Sequence, residues 1–504
     1  VTDPARDRPT AASADHPYPQ RWLALAVIAV TVLMIVLDAT IVNIALPAVS
    51  VDLDISEANQ QWIVTAYTLT FGGFLLLGGR IADFWGRKRT YLVGAVGFAL
   101  ASALGGLATN EALLFAARAL QGTFGALLGP ASLALITVLF TDAAERAKAF
   151  AVYGAIAGGG SAVGLLLGGV LTEYADWRWC FWVNVPIAVL AVVAAWRIVP
   201  ESKASGETKY DVPGAVLITV GLASLVYGFT KVAEAAQAGD GSSPWANGPA
   251  LTFILLGVAL IVAFVVVEFR VRNPLLPMRL VLDRNRGGAY LTATLVGAGL
   301  IGSFFFLSLY FQQVLGYTPV SAGFASLPVT AGVLVAAGAA SQLVPRIGPK
   351  PLMVAGGLFA AGGLFTLSFL GLDTPFWQVA LPGQLLLGLG LGFTFVPLSN
   401  LALVGVGEHD AGAASAVLQA VQQVGASIGT ALLATFSVTA ITNSLADRPA
   451  TEQDPVAPLV AQVEGYTTAF TWGAGLLLVA AIASAVLIQA SKDDLPAEMA
   501  VHAG

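Results

Sequence analysis

Trp22-Leu-Ala-Leu-Ala-Val-Ile-Ala-Val-Thr-Val-Leu-Met-Ile-Val-Leu-Asp38-Ala-Thr-Ile-Val-Asn-Ile-Ala-Leu-Pro47 carries a single charge, Asp38, in an otherwise apolar run. About 20 helical residues cross the hydrocarbon core of a bilayer, so this run is long enough to span one. It is too long for the apolar core of a signal peptide and shows no convincing cleavage site, so it reads as a membrane helix that is kept. Residues 1–21 before it are polar and Pro-rich. Outward from this stretch, apolar runs alternate with short charged segments to the end of the chain. They cover 22–47, 60–79, 90–108, 111–140, 148–172, 181–199, 212–232, 249–269, 287–315, 321–343, 352–370, 377–406, 412–441 and 469–489, fourteen spans in all.

Composition agrees. Of 504 residues, 57% are hydrophobic and 11% charged, and 24 basic plus 30 acidic residues cannot coat the several domains a soluble chain of this length would need. The basic residues are scattered through loops, which leaves nucleic-acid binding without an electrostatic footprint. Cys180 is the only cysteine, so no intramolecular disulfide and no Cys-built metal cluster is available. His16, His409 and His502 lie in a tail, a loop and the other tail, which excludes a His-built metal or catalytic centre within the membrane. No phosphate-binding loop of the Gly-x4-Gly-Lys-Ser/Thr type occurs, so ATP does not drive this protein, and no cofactor or enzymatic activity is expected.

Orientation follows from Lys and Arg. With the N-terminus inside, 20 basic residues fall in cytoplasmic segments and three, Arg178, Lys231 and Arg448, outside. An even number of spans and two cytoplasmic termini follow. An internal echo points to duplication: Gly86-Arg-Lys-Arg-Thr-Tyr-Leu-Val-Gly94 recurs, degraded, as Gly348-Pro-Lys-Pro-Leu-Met-Val-Ala-Gly356, each time between the second and third helices of a six-helix group. The chain therefore divides into a tail (1–21), a six-helix bundle (22–199), a linker (200–211), a two-helix hairpin (212–270), a second linker (271–286), a second six-helix bundle (287–489) and a tail (490–504). Two parallel six-helix repeats with a site between them are the plan of major facilitator transporters.

Motifs sharpen that likeness. Leu37-Asp-Ala-Thr-Ile-Val-Asn-Ile-Ala-Leu-Pro47 resembles the helix 1 signature of the fourteen-helix drug:proton antiporters. The stretch from Gly79 and Arg80 through Asp83 to Gly86, Arg87, Lys88 and Arg89 resembles the superfamily's loop 2–3 motif, and Arg118-Ala-Leu-Gln-Gly122 its helix 4 motif. Helix 5 departs from the antiporter pattern, with Leu165 where proline is usual. Together with the run from Trp62 to Asp83 and with Trp177-Arg-Trp-Cys-Phe-Trp-Val-Asn-Val-Pro186, this is most similar to actinobacterial exporters of the EfpA kind. The resemblance implies an all-α fold of two six-helix bundles plus two central helices. It also implies that helices 1 and 4 share a central cavity, and that the loop 2–3 motif is a charge latch at the cytoplasmic ends.

Asp38 is the one acid deep in a span and Arg118 the one base. Unpaired charge is costly in hydrocarbon, and intramembrane ionisable groups are functional by default, so Asp38 reads as the proton carrier. Arg118 cannot shed its proton and reads as a fixed charge; because the resemblance puts helices 1 and 4 on one cavity, it implies that Arg118 stabilises ionised Asp38 or senses its protonation. The competing readings are a structural acceptor at 38 and a packing arginine at 118. Gly160, Gly164 and Gly168 form a small-residue stripe for close helix packing. Gln419, Gln422 and Gln423 share a helical face with Ser415; these amides either line a substrate cavity or join helices. Gln121, Trp62, Tyr67 and Asn400 are further cavity candidates, while Trp177, Trp179 and Trp182 read as interfacial anchors. Glu268 reads as a helix-end ion pair with Arg270 or Arg272.

The function expected is proton-coupled export of amphipathic small molecules by alternating access from the cell membrane, by a monomer surrounded by lipid. A nutrient facilitator or symporter, and a transporter-like sensor or lipid-handling protein, are the alternatives. With one deep carboxylate, neutral or singly cationic substrates are expected.

Overall fold

The computed structural model describes residues 18–140, 142–203, 211–238, 243–271, 274–276, 278–403, 408–447 and 456–491. Arg6, Arg8, His16, Lys209, Arg272, Arg448, Lys492 and His502, and the side chains of Arg146, His409 and Ser415, lie outside the described residues. Among the described residues the fold is helical throughout, without a strand. Fourteen long segments follow in order: α1 Arg21–Asp52, α2 Glu57–Trp85, α3 Arg87–Gly106, α4 Glu111–Leu139, α5 Ala143–Tyr174, α6 Trp179–Ile198, α7 Val212–Ala238, α8 Gly248–Glu268, α9 Arg284–Val314, α10 Pro319–Ile347, α11 Pro349–Leu367, α12 Ala380–Leu403, α13 Glu408–Asp447 and α14 Ala457–Leu487. Twelve are long and apolar enough to cross a membrane; the other two, α3 and α5, pack within the first bundle. The protein is thus a multi-pass membrane protein.

Several helices outrun their apolar stretches. α14 begins at Ala457, well before the apolar run at 469–489, because backbone hydrogen bonding continues through polar residues once a helix is nucleated. Helix starts are set by side chains that accept orphan amides: Asn110 takes the Leu113 N–H at 2.9 Å and Asp142 the Glu145 N–H at 2.9 Å. The sequence echo has a backbone counterpart. Gly86 and Gly348 both adopt positive φ, +126° and +83°, and each stands just before the third helix of its bundle. Only glycine enters that region freely, and a Cβ on Gly86 would also strike Glu201.

In the first bundle α5 packs on α1 through the glycine stripe. Gly160 faces Leu33 and Val36, Gly164 faces Thr40 and the Leu37 carbonyl, and Gly168 faces Ile41. α4 approaches α2 at Gly122 and Gly125, against Tyr67, Thr70 and Phe71. In the second bundle α12 packs between α10 and α11, with Gly332 against Gly388 and Gly363 against Gly383 and Leu387. The two bundles join at the end of the molecule that carries Trp177. There Ser308 donates to the Asn43 carbonyl at 2.6 Å, Gln312 to the Ile44 carbonyl at 3.0 Å, and the Val320 N–H to Glu173 at 3.0 Å.

The α7–α8 hairpin straddles one junction of the bundles. Thr230 on α7 accepts from Gln61 at 3.1 Å and Trp62 Nε1 at 3.0 Å, and Thr435 on α13 donates to the Phe229 carbonyl at 3.0 Å. Its outer helix, α8, leaves most of its apolar side chains exposed, as suits a lipid-facing helix. Trp177 corrects the sequence reading. It is buried, its indole donates to Asp52 at 3.2 Å and its ring stacks under Arg178, so it caps the bundle; Trp179, 53% exposed, is left to face the interface.

Candidate functional site

Five helices of the first bundle converge on Asp38, which is fully buried on α1. Arg118 Nη1 on α4 lies 2.6 Å from Asp38 Oδ2. Gln121 Nε2, one turn further along α4, donates to Asp38 Oδ1 at 2.8 Å, and Asn184 Nδ2 on α6 to the same oxygen at 2.9 Å. Ser102 on α3 accepts from both amides, at 2.6 and 3.2 Å. The guanidinium is held from several sides: Nε donates to the Ile63 carbonyl on α2 at 2.9 Å, Nη1 also reaches Gln121 Oε1 at 2.9 Å, and the Tyr67 ring lies 4.5 Å from its carbon. A buried cation over an aromatic face gains from the ring quadrupole once water is excluded.

Every close polar partner of Asp38 is thus an N–H donor, the pattern that a carboxylate wants and that a buried ion pair needs to offset its desolvation. The set can rearrange. A proton on Asp38 would remove its attraction for Arg118, which would keep Gln121 and the Ile63 carbonyl as acceptors. Two buried atoms stand without partners beside it, the Tyr67 hydroxyl and Asn184 Oδ1.

The residues read as cavity wall divide. Gln121 is fully buried and committed to Asp38, Arg118 and Ser102, because the spacing of three from Arg118 puts both on one helical face. Tyr67 is buried under Arg118. Trp62 turns away from the bundle centre toward the hairpin, stacking near Phe115 and Tyr227, because α7 covers that end of α2. Gln419, Gln422 and Gln423 on α13 and Asn400 on α12 remain half-buried. Gln423 contacts Gly72 of α2 across the bundle junction, and its carbonyl oxygen is buried without a partner. A separate cavity of about 460 Å³, lined by Asp176, Arg178, Trp179 and Trp182, lies at the Trp177 end and does not include Asp38.

The loop 2–3 motif is assembled around a residue that the sequence reading missed. Glu201, just past α6, accepts from the Lys88 N–H at 3.1 Å and lies 3.6 Å from Arg89; Gly86 lacks the Cβ that would collide with it. Arg87 pairs with Asp83 at 3.1 Å, Lys88 Nζ reaches the Trp196 carbonyl at 2.7 Å, and Arg80 donates to the Pro274 carbonyl at 3.4 Å. Gly79 sits against Pro130. Asn184 and Ser102 were also missed, because an uncharged polar side chain in an apolar span does not stand out as the charge of Asp38 does.

Glu268 is corrected as well. It is 2% exposed, and its Oε2 accepts the Leu276 N–H at 2.8 Å. Its Oε1 has no partner and faces the space over Gly214, into which Asp211 also points; no ion pair with exposed Arg270 is formed, and Arg272 lies outside the described residues.

Comparison with known proteins places this architecture. Residues 28–430 match the model of the Major Facilitator Superfamily. The chain is 47% identical over 486 residues to the puromycin resistance protein pur8 of Streptomyces alboniger, covering 96% of this chain and 94% of that one. It is 35% identical over 430 residues to the uncharacterized MFS-type transporter EfpA of Mycobacterium tuberculosis, covering 84% and 79%. Among solved structures it superposes on a bacterial homologue of the human lysosomal transporter Spinster, inward-facing and unoccupied, with a TM-score of 0.64 at 15% identity over 95% of this chain and 99% of that one. The chain belongs to the Major Facilitator Superfamily.

Proposed function

We propose that this protein exports amphipathic small molecules across the cell membrane in exchange for protons, by alternating access, with both termini in the cytoplasm. The observation that carries the reading is the Asp38 site. A solitary carboxylate is buried in the first bundle, paired at 2.6 Å with a solitary arginine and backed by two amides. Such a pair is costly to build in a membrane core and is retained where its charge state is used. Asp38 takes up and releases the proton; Arg118 is the fixed charge against which that proton competes, with Gln121 and Asn184 orienting the carboxylate.

Protonation of Asp38 uncouples α1 from α4, the step that lets bundle packing change. The half-buried amides of Gln419, Gln422 and Gln423 and of Asn400 supply hydrogen bonds to varied substrates. The motif from Arg80 to Arg89 acts as the cytoplasmic latch, and the glycine stripe on α5 lets α1 and α5 move as one body. Support for the exported class comes from the relative named for puromycin resistance, which this chain matches over nearly its whole length.

The test is reconstitution into liposomes with an imposed pH gradient. Substrate flux should follow the gradient and proton counter-flow should accompany it. Equal flux with and without the gradient would favour a facilitator and overturn proton coupling; binding without flux would overturn transport.

A further inference from the structure

A second pair of acids is buried at the foot of the α7–α8 hairpin. Asp211 precedes α7 and is 5% exposed, with Oδ1 accepting the Gly214 N–H at 2.8 Å. Glu268 ends α8. Their remaining oxygens, Asp211 Oδ2 and Glu268 Oε1, are both buried without a hydrogen-bond partner. Both point into one small space: a Cβ added to Gly214 would lie 2.6 Å from the first and 2.7 Å from the second. Among the described residues, Arg80 donates to the Pro274 carbonyl, Arg270 is exposed, Arg284 reaches the Val486 carbonyl and Arg286 pairs with Asp283; Lys209 and Arg272 lie outside the described residues.

Two carboxylates facing one another in a buried space, each with an oxygen that no donor reaches, are strongly repelled when both are ionised, whereas one shared proton converts the contact into a hydrogen bond. The position of the pair matters because of what Glu268 holds. Its other oxygen binds the Leu276 N–H, and the segment 274–276 touches both bundles. Leu276 packs in a cluster with Leu76 of α2, Leu398 and Leu401 of α12 and Leu418 of α13, while the Pro274 carbonyl receives Arg80 of the loop 2–3 motif.

We propose that Asp211 and Glu268 hold one proton between them, forming a protonation site separate from Asp38, and that the protonated pair is a clasp fixing the hairpin foot to segment 274–276 and through it to Arg80. When the pH at that face rises and the proton leaves, like-charge repulsion opens the clasp and frees the segment. The pair is thereby a pH sensor on the latch, outside the transport site.

The clasp is tested in full-length purified protein carrying Cys180→Ala and Asp38→Asn, so that the outcome does not depend on transport. Leu275→Cys reports opening, since Leu275 is 5% exposed. Its labelling rate by a water-soluble maleimide is divided by that of Leu282→Cys, a 69% exposed position, to cancel the pH dependence of the thiol. The ratio should rise with pH across the neutral range, by up to about tenfold per unit for a single controlling proton. It should stay low and flat in Asp211→Asn or Glu268→Gln, where an amide keeps the hydrogen bond and has no proton to lose. A flat ratio in the parent, or the same rise in both variants, would overturn the clasp. Infrared difference titration supplies a second reading: a carboxylic-acid carbonyl band should titrate in the parent and be absent from either variant, and its absence from the parent would overturn the shared proton. Because the background lacks Asp38, failure of the export reading leaves this test intact, and the reverse also holds.

Discussion

Asp38 and Glu268 are both carboxyls buried in a membrane protein, 0% and 2% exposed, yet their surroundings are opposite. Around Asp38 stand a guanidinium and two amide N–H donors, all pointing inward. Around Glu268 the backbone N–H groups of Leu276 and Leu275 are the donors, with Leu276 on Oε2, and Oε1 faces a second acid. Burial raises the cost of charge at both places, so burial cannot be what distinguishes them. The neighbours are: donors favour an anion, and an opposed carboxyl favours a shared proton. A titratable group in a membrane takes its role from the polarity of the atoms facing it, which depth in the span does not reveal.

The largest effect expected from breaking this contrast is at Arg118. Arg118→Met strips the cation from Asp38 and should cost about 3–5 kcal/mol, since removal of one partner strands a buried charge. Thermal unfolding of the purified protein should show the loss. Adding Asp38→Asn should recover most of it, and a double variant no more stable than Arg118→Met alone would mean that the pair is not the source. Next, Asp38→Asn by itself should fold, keep Arg118 on Gln121 and the Ile63 carbonyl, and abolish gradient-driven flux in liposomes; wild-type flux with Asn at 38 would move the proton elsewhere.

On the other side of the contrast, Gly214→Ala drives a methyl into the space shared by Asp211 and Glu268 and should destabilise by about 1–3 kcal/mol, as overpacking does. The loss should shrink if Glu268→Gln is added, because an amide that tolerates displacement replaces an acid that depends on its proton. Asn184→Ala removes one of three donors from Asp38 and should cost about 1 kcal/mol, the worth of a typical hydrogen bond, with flux reduced but present; full loss of flux would give Asn184 a larger part than orientation. The smallest expected effect is on substrate choice. Asp211 and Glu268 lie at the hairpin foot, so efflux of matched mono- and dicationic dyes should not change its ratio in Glu268→Gln, and a selective loss of the dication would bring that acid into the substrate path.

Much of the fold was legible without coordinates. Apolar runs separated by charge mark helices because hydrocarbon tolerates no unpaired backbone, and lone charges such as Asp38 and Arg118 stand out because their burial is expensive. The repeat of Gly86 at Gly348 was visible too, and positive φ at both explains why the glycine survives where the charges around it do not. The contacts of Trp62 with the hairpin were not legible, because Thr230 and Tyr227 come much later in the chain.

Sequence alone determined that the chain is a helical membrane protein with one acid, Asp38, and one base, Arg118, deep within its apolar spans, since both statements depend only on local hydropathy and on the price of isolated charge. Tertiary structure alone decided which groups face each other. Asn184 reaches Asp38 from another helix while Ser102 accepts from the two amides that face it, Glu201 joins the loop 2–3 motif from beyond α6, and Asp211 meets Glu268 from the other arm of the hairpin. Those partners are distant in sequence, and a carboxyl's environment is set within a few ångströms in space, where the distance along the chain carries no information.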